Sequence, residues 1–513
     1  MNEPAEVDGA LRGPGAPDRS PVTVDHGSPL ARGLGATLLV SLVAIGARLR
    51  PFRNADVLWQ IRTGDVVLAT RARVDTDRFT YGLRGAKIHD HEPAFEALLA
   101  IVDRAGGLVL LWWINLALAV VAVGVSFHAA RRLVGGAIAR LIATSLVVTA
   151  VAARFELRAE AASFLAIAVA HAIRRKANDR HGSMAWTPRL LPIPIAALAA
   201  PFHGLSLLVA LVPAAHVGEE LVLHRRSLDL RRLGVDLLVM VATILAAEAA
   251  APGMIANVVG NAAGVAFVHH IIEGYSPLQY VIRTHDVFPV AQLTFAMVAT
   301  AGLVRLSRLG RARLADALLV AAMIVPGLRY LRFTPLAAVA ALPWTIAGVA
   351  AVVELALPRI RRGLAVGLAV IVALASFVVG TEDLGKDATA VGFDWSRQPV
   401  GAVRWLREHR PDAALFHPYN FGAYLIYAQY PPRGVIIDPR AATVYPNDYA
   451  ERYYRAIEDP VAFEAWAKEA PFDTVLLQKR HKSSEGLRAH LAQSPDWVMA
   501  YDDLGSIVFV RAP

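Results

Sequence analysis

The chain has no cysteine in 513 residues, which excludes disulfides, thiolate metal sites and cysteine nucleophiles. Charge is scarce too: Asp, Glu, Lys and Arg make up 19% of the residues against 55% hydrophobic. With a mean hydropathy of +0.43 and several apolar runs of membrane-crossing length, a soluble globular protein is excluded. The formal charge of +9 does not point to nucleic acid, because much of the Lys and Arg sits in short loops between apolar runs. No glycine-rich phosphate loop opens a helix in the C-terminal part, so no nucleotide site is expected there.

Residues 1–29 are rich in Gly, Pro, Asp and Arg and lack both an apolar period and a signal-peptide hydrophobic segment; they read as a disordered cytoplasmic tail. A first span follows at 30–47, and no small-residue cleavage pattern releases it. Further apolar runs at 108–125, 135–153, 159–173, 190–202, 204–216, 233–251, 288–304, 314–328, 333–353 and 363–380 bring the expectation to about eleven transmembrane helices. Alternate loops hold Arg131/Arg132, Arg174/Arg175/Lys176/Arg180, Arg225/Arg226/Arg231/Arg232, Arg305/Arg308/Arg311/Arg313 and Arg359/Arg361/Arg362, and the positive-inside rule makes that side cytoplasmic. Every polar cluster of chemical character then falls on the outer face. Past Gly380 the composition becomes that of a soluble domain, with helices at 398–409, 420–429, 446–457, 460–469 and 484–493 alternating with short strands. The expected fold is a polytopic α-helical membrane protein: a transmembrane domain over 30–380 with an outer loop at 50–107, then an extracytoplasmic α/β domain over 381–513.

The segment 54–92 concentrates the polar chemistry, with Asp56, Asp75, Asp77, His89, Asp90, His91 and Glu92 just outside the first span. Within it and beyond it, Val57, Leu58, Ile61 and Leu68, and Phe95, Leu98, Leu99 and Val102, recur at helical spacing, so two amphipathic helices lying at the membrane surface are expected. Asp56 begins the first, where a carboxylate serves either as a helix cap or as a proton acceptor. His89, His91 and Glu92 offer either a divalent-metal set or hydrogen bonds to a sugar or phosphate, and Glu92 is equally placed to cap the helix that follows. No metal site is assigned; a divalent metal is the one cofactor left open. Arg154 and Arg158 are snorkelling residues or the cations that a phosphate group requires, and Arg332 is comparable. His203, at a tight turn between apolar runs, and Glu273, in an otherwise apolar outer loop, are either solvated or turned toward a cavity.

The patterns N-A-D-x-x-W-Q-I-R-T-G from Asn54, D-T-D-R-F-T-Y from Asp75 and D-H-E from Asp90 resemble the first loop of a family of bacterial multi-pass proteins in the GT-C glycosyltransferase superfamily. The resemblance continues through Phe202-His203-Gly204, Ile272-Glu273-Gly274-Tyr275-Ser276-Pro277, Arg332-Phe333, Phe421-Gly422-Ala423-Tyr424-Leu425 and Ile437-Asp438-Pro439-Arg440. Asn54 stands where the first acid of a pair is usual, and Leu58, Gln60, Pro93 and Gly274 depart from the pattern as well. The resemblance implies a GT-C fold and transfer of a sugar from a polyprenyl-phosphate donor, with Asp56 as base or metal ligand and Glu92 as the next choice. It points to a plasma-membrane enzyme acting on the outer face on a glycan, lipid or protein acceptor. The rival readings are a transporter or flippase of lipid-linked material and an inactive relative serving envelope assembly. Polar clusters confined to one face favour the enzyme, since transport sites usually include ionisable groups near the middle of the spans.

Overall fold

The computed structural model describes residues 54–512 apart from 89, 152–156, 182–185, 257–275, 285–287, 331–332, 334–335, 357–390, 432, 471 and 480. The N-terminal tail, the first span at 30–47 and the last at 363–380 therefore lie outside the described residues.

Three described helices are long and apolar enough to cross a membrane: Pro93–Ala130, Gly204–Leu223 and Leu230–Ala250. Their outward faces carry Leu118, Val121, Val125, Leu238 and Leu245, all exposed, as lipid-facing side chains would be. Shorter helices, including Ala137–Val151, Leu314–Arg329 and Leu342–Ala356, pack among them around a core of small and branched residues. Glycine sets the closest approach in this bundle. A Cβ on Gly302 would overlap the Gly348 carbonyl and one on Gly348 the Ala299 carbonyl, so the helices Phe288–Arg308 and Leu342–Ala356 meet backbone to backbone.

The Pro93–Ala130 helix is broken where the sequence puts a break. Gly106 and Gly107 have non-helical dihedrals, and Gly107, at φ +66°, is in the region that favours glycine. The amphipathic helix Asp56–Thr70 also forms, but its apolar face does not meet lipid. Val57, Leu58 and Ile61 are buried in one core with Phe95, Leu99, Phe421 and Leu425, so protein covers the stripe that was expected at the membrane surface.

The C-terminal part builds a four-stranded sheet in the order β1-β2-β4-β3, from β1 (Leu415–Phe416), β2 (Thr474–Gln478), β3 (Trp497–Asp502) and β4 (Ser506–Arg511). The β1–β2 pair is parallel and the other two pairs are antiparallel. Phe416, Phe463, Phe472 and Phe509 belong to the core between this sheet and the helices Asn447–Glu458 and Pro460–Glu469. The segment after the first described helix is bound into this part. Val435 donates its N–H to the Phe79 carbonyl at 2.8 Å and accepts from Tyr81 N–H at 3.1 Å.

Two expectations are corrected. Arg174 and Arg175 are not loop residues: they lie inside the helix Glu160–His181, and Arg174 is 2% exposed. Nor are the ionisable clusters confined to the end of the bundle that holds Glu92, because His171, Arg174, Asp236 and Asp316 form buried pairs within helices. Hydropathy averaged over a window cannot separate a loop charge from one paired inside a bundle.

Candidate functional site

The site is built on the start of helix Asp56–Thr70. The Asn54 side-chain oxygen accepts from the Asp56 N–H at 3.2 Å, an Asx turn that sets the helix going, so the amide in place of an acid has a local structural use. Asp56 is the first helical residue, and Trp59 Nε1 donates to its Oδ1 at 3.4 Å. One turn further, Gln60 lies on the same face and donates from Nε2 to Glu92 Oε1 at 2.6 Å. A further turn brings Gly64, where a Cβ would overlap the Glu96 carbonyl, so the two helices touch directly beside the Gln60–Glu92 bond.

Glu92 is 5% exposed. Burial pushes its carboxyl up to about 8; the Gln60 hydrogen bond works against that, while the charges of Asp90, Asp56 and Glu160 add to it. Glu92 is thus protonated at neutral pH, in the same neighbourhood as Asp56. Asp90 orders the approach to it, accepting from the Glu92 N–H at 3.1 Å and from the Val74 N–H at 3.3 Å. Burial also raises the Asp90 carboxyl above its ordinary range.

His91, Glu92 and His203 bring one donor atom each within 4.8 Å of one another, and the two imidazoles lie 6.0 Å apart, centre to centre. Two histidines and a carboxylate can hold zinc, but the hydrogen bonding of His203 is unsuited to it. Its Nδ1 accepts from the Leu205 N–H at 3.1 Å, capping the short 3-10 helix Gly204–Ala210. The proton of the neutral ring then sits on Nε2, which is a donor in that tautomer and offers no lone pair to a cation. As arranged, the set suits an anionic or hydroxyl oxygen better than a metal.

Of the residues singled out from sequence, Asp56, His91, Glu92 and His203 are therefore brought to one site, on three separate elements. Glu160 joins them through its charge on Glu92, and half-buried Arg158 lies two residues before it. His89, Arg154, Glu273 and Arg332 lie outside the described residues. Gln60 was missed as a participant; its place four residues after Asp56 was the available signal. Asp77 is corrected. It is buried and accepts from Arg440 Nη1 at 2.7 Å and from the Thr80 N–H at 3.0 Å. Arg440 also grips Asp438 with two hydrogen bonds, at 2.8 and 2.7 Å, and the Tyr445 hydroxyl donates to Asp438 at 2.5 Å. Despite the cost of burial, Arg440 holds the Asp438 carboxyl below its ordinary range. The D-T-D-R-F-T-Y and I-D-P-R patterns thus make a latch between two parts of the chain.

No family model matches the chain, and no curated protein sequence matches it. Solved structures do. The archaeal oligosaccharyltransferase AglB from Archaeoglobus fulgidus, in complex with an inhibitory peptide and a dolichol-phosphate, aligns with a TM-score of 0.58 at 15% identity, covering 88% of this chain and 70% of that one. The apo form of the Archaeoglobus fulgidus oligosaccharyltransferase gives the same values. Its complex with Zn and sulfate aligns at 0.56 and 15% identity, covering 92% and 73%. At that identity the likeness is one of fold alone.

Proposed function

We propose that the protein is a membrane glycosyltransferase that moves a sugar from a polyprenyl-phosphate donor to an envelope acceptor at the outer face of the plasma membrane. The observation that carries this reading is the meeting of Asp56, Gln60, His91, Glu92 and His203 at one site in a chain with an oligosaccharyltransferase fold. The neighbour's bound dolichol-phosphate supports a lipid-phosphate donor, and its bound peptide leaves a protein acceptor open beside a glycan or lipid.

In this mechanism Asp56 takes the proton from an acceptor hydroxyl as that oxygen attacks the anomeric carbon, and the phosphate leaves from the opposite face with inversion. Glu92 is neutral below about pH 8, so it donates a hydrogen bond to a donor oxygen while Gln60 fixes its orientation. His203, with its ring proton on Nε2, is a second donor, and His91 faces the same space. Arg158, together with Arg154 and Arg332, supplies the cations that bind the leaving phosphate, and Glu273 contacts the sugar. The sheet-bearing C-terminal part lies outside the membrane and receives the acceptor. No step is routed through a metal.

The transport reading keeps one observation in its favour, the buried ionisable pairs of His171 with Asp316 and Arg174 with Asp236 inside helices. Reconstitution in liposomes with a labelled polyprenyl-phosphate sugar and crude envelope acceptor separates the two, scoring glycan product and lipid flipping together. Glycan product is expected, and Asp56→Asn should lower its rate about 10²–10⁴-fold while the protein still inserts and folds. Flipping without product would retire the transferase reading.

A further inference from the structure

The helix Pro93–Ala130 begins beside the candidate site and leaves it behind. From the break at Gly107 to Arg131 the chain rises about 36 Å at the ordinary rise per residue, enough to cross the hydrocarbon core. The far end of the helix therefore reaches the opposite membrane surface. One stripe of it stays uncovered by protein. Leu118, Val121 and Val125 are each more than half exposed, and the stripe continues at the same three-to-four-residue spacing through His128 and Arg132, both exposed. A lipid-facing apolar stripe thus ends on a cation.

The turn that follows is held in place. Leu133 and Val134 are buried and donate their N–H groups to the Ala130 carbonyl, each at 3.0 Å, while Arg131 and Arg132 stay on the outside. The next helix, Ala137–Val151, brings Arg140 back to the same place. Its Nη1 donates to the Phe127 carbonyl at 3.4 Å, and its guanidinium lies 4.9 Å from the centre of the Phe127 ring, one helical turn before Arg131. The charge that bears on Arg140 is the like charge of Arg131.

Nothing acidic answers these cations. Among the described residues no carboxylate pairs with Arg131, Arg132 or Arg140, and Arg140 Nε has no hydrogen-bond partner. Glu354 comes close to the turn at Gly136, but the cation it meets is Arg311, at 3.9 Å. Arg232 and Arg313, from other arginine-bearing loops, each have an acid, Asp229 at 2.8 Å and Glu219 at 3.6 Å. Three like charges around the end of one helix repel one another, and an anion placed among them relieves that repulsion.

We propose that Arg131, Arg132 and Arg140 hold the phosphate of an anionic phospholipid, one acyl chain of which lies along Leu118, Val121 and Val125. The occupant follows from the two halves of the surface. Guanidinium groups match the charge and the planar oxygen edge of a phosphate, and the apolar stripe that runs into them matches a hydrocarbon chain attached to it. A soluble phosphate would use the first half and leave the second unexplained. Basic pockets between transmembrane helices are a recurrent way of holding such head groups.

The inference stands apart from the transfer reading, because it concerns the opposite end of the span and its readout is lipid binding. The full-length, delipidated protein in detergent would be titrated with phosphatidylglycerol and, separately, with phosphatidylcholine, and bound lipid followed by native mass spectrometry. A phosphatidylglycerol is expected to bind more tightly than any phosphatidylcholine. Arg140→Gln should weaken it about fivefold, and the double variant Arg131→Gln/Arg132→Gln further still. Both positions of the double variant are exposed, so it carries the comparison if Arg140→Gln does not fold. Arg225→Gln removes the same charge from an exposed position between the helices Leu211–Leu223 and Leu230–Ala250, and it should leave binding unchanged. Equal binding of the two lipids, full binding retained by the double variant, or an equal loss in Arg225→Gln would overturn the proposal.

Discussion

Glu92 and His417 are both buried, and their protonation moves stability in opposite directions across neutral pH. His417 sits with Nδ1 3.0 Å from the Pro418 carbonyl, to which it donates, and its Nε2 accepts from the Ile436 N–H at 3.2 Å. Burial brings the ring down to about 4, from an ordinary 6.5, against the opposing pull of that carbonyl and of Asp438. The unfolded chain then binds the extra proton between pH 6.5 and 4, so stability is present above that window and lost as pH falls through it, about 3 kcal/mol in all. Glu92 does the reverse. Its carboxyl is raised from 4.5 to about 8, so its contribution is full below 4.5 and is lost as pH rises toward 8, about 5 kcal/mol in all. The windows overlap between pH 4.5 and 6.5, where the opposing slopes cancel, so melting midpoints should be level there and fall as pH rises from 6.5 to about 8. Glu92→Gln should abolish the fall above pH 6.5 and uncover the loss of stability below it, whereas His417→Gln should extend the fall down to about pH 4.5; profiles unchanged in both variants would refute the assignments. Glu92 was visible in the sequence as part of a polar run, whereas His417 belonged to no pattern. Neither shift was legible there, because desolvation depends on what covers a side chain.

At the scale of elements, the site depends on how closely the helices Asp56–Thr70 and Pro93–Ala130 can approach. Gly64 lies against the Glu96 carbonyl with no room for a Cβ. Gly64→Ala should force the helices apart, cost about 1–3 kcal/mol and lengthen the Gln60–Glu92 contact, lowering transfer as well as melting temperature. Gly124 is the control, since a Cβ there meets nothing within 4 Å; Gly124→Ala should be neutral or stabilising by up to about 1 kcal/mol. Equal effects of the two changes on melting and on product formation would show that the close approach does not matter. Helical periodicity announced both helices, and the break at Gly106 and Gly107 was legible from the glycine pair. That the two helices touch through Gly64 was not, since a glycine in a helix reads the same whether it faces solvent or another backbone.

At the scale of the whole molecule, Asp77 and Asp438 share Arg440 and tie the polar segment after the first described helix to the sheet-bearing part. Arg440→Met leaves two buried carboxylates without their cation, and it should cost about 3–5 kcal/mol. Limited proteolysis of the membrane-bound protein should then cut near residues 72–88 much faster than in the parent; unchanged cleavage and melting would show the latch to be dispensable. From residue types and their spacing alone, the sequence determined that the chain lives in a membrane, that a soluble-like part with sheet and helices follows, and that Asp56, His91, Glu92 and His203 are worth attention. These follow from local quantities: hydropathy over a window, period, and polar residues beside apolar runs. Only the tertiary structure decided that Asp77 is a latch, that Gln60 holds Glu92, and that Arg174 and His171 lie buried in a second cluster. Those outcomes rest on pairings between residues 32, 145 and 363 positions apart, and the free energy of a buried charge is set by the partner that the fold brings to it.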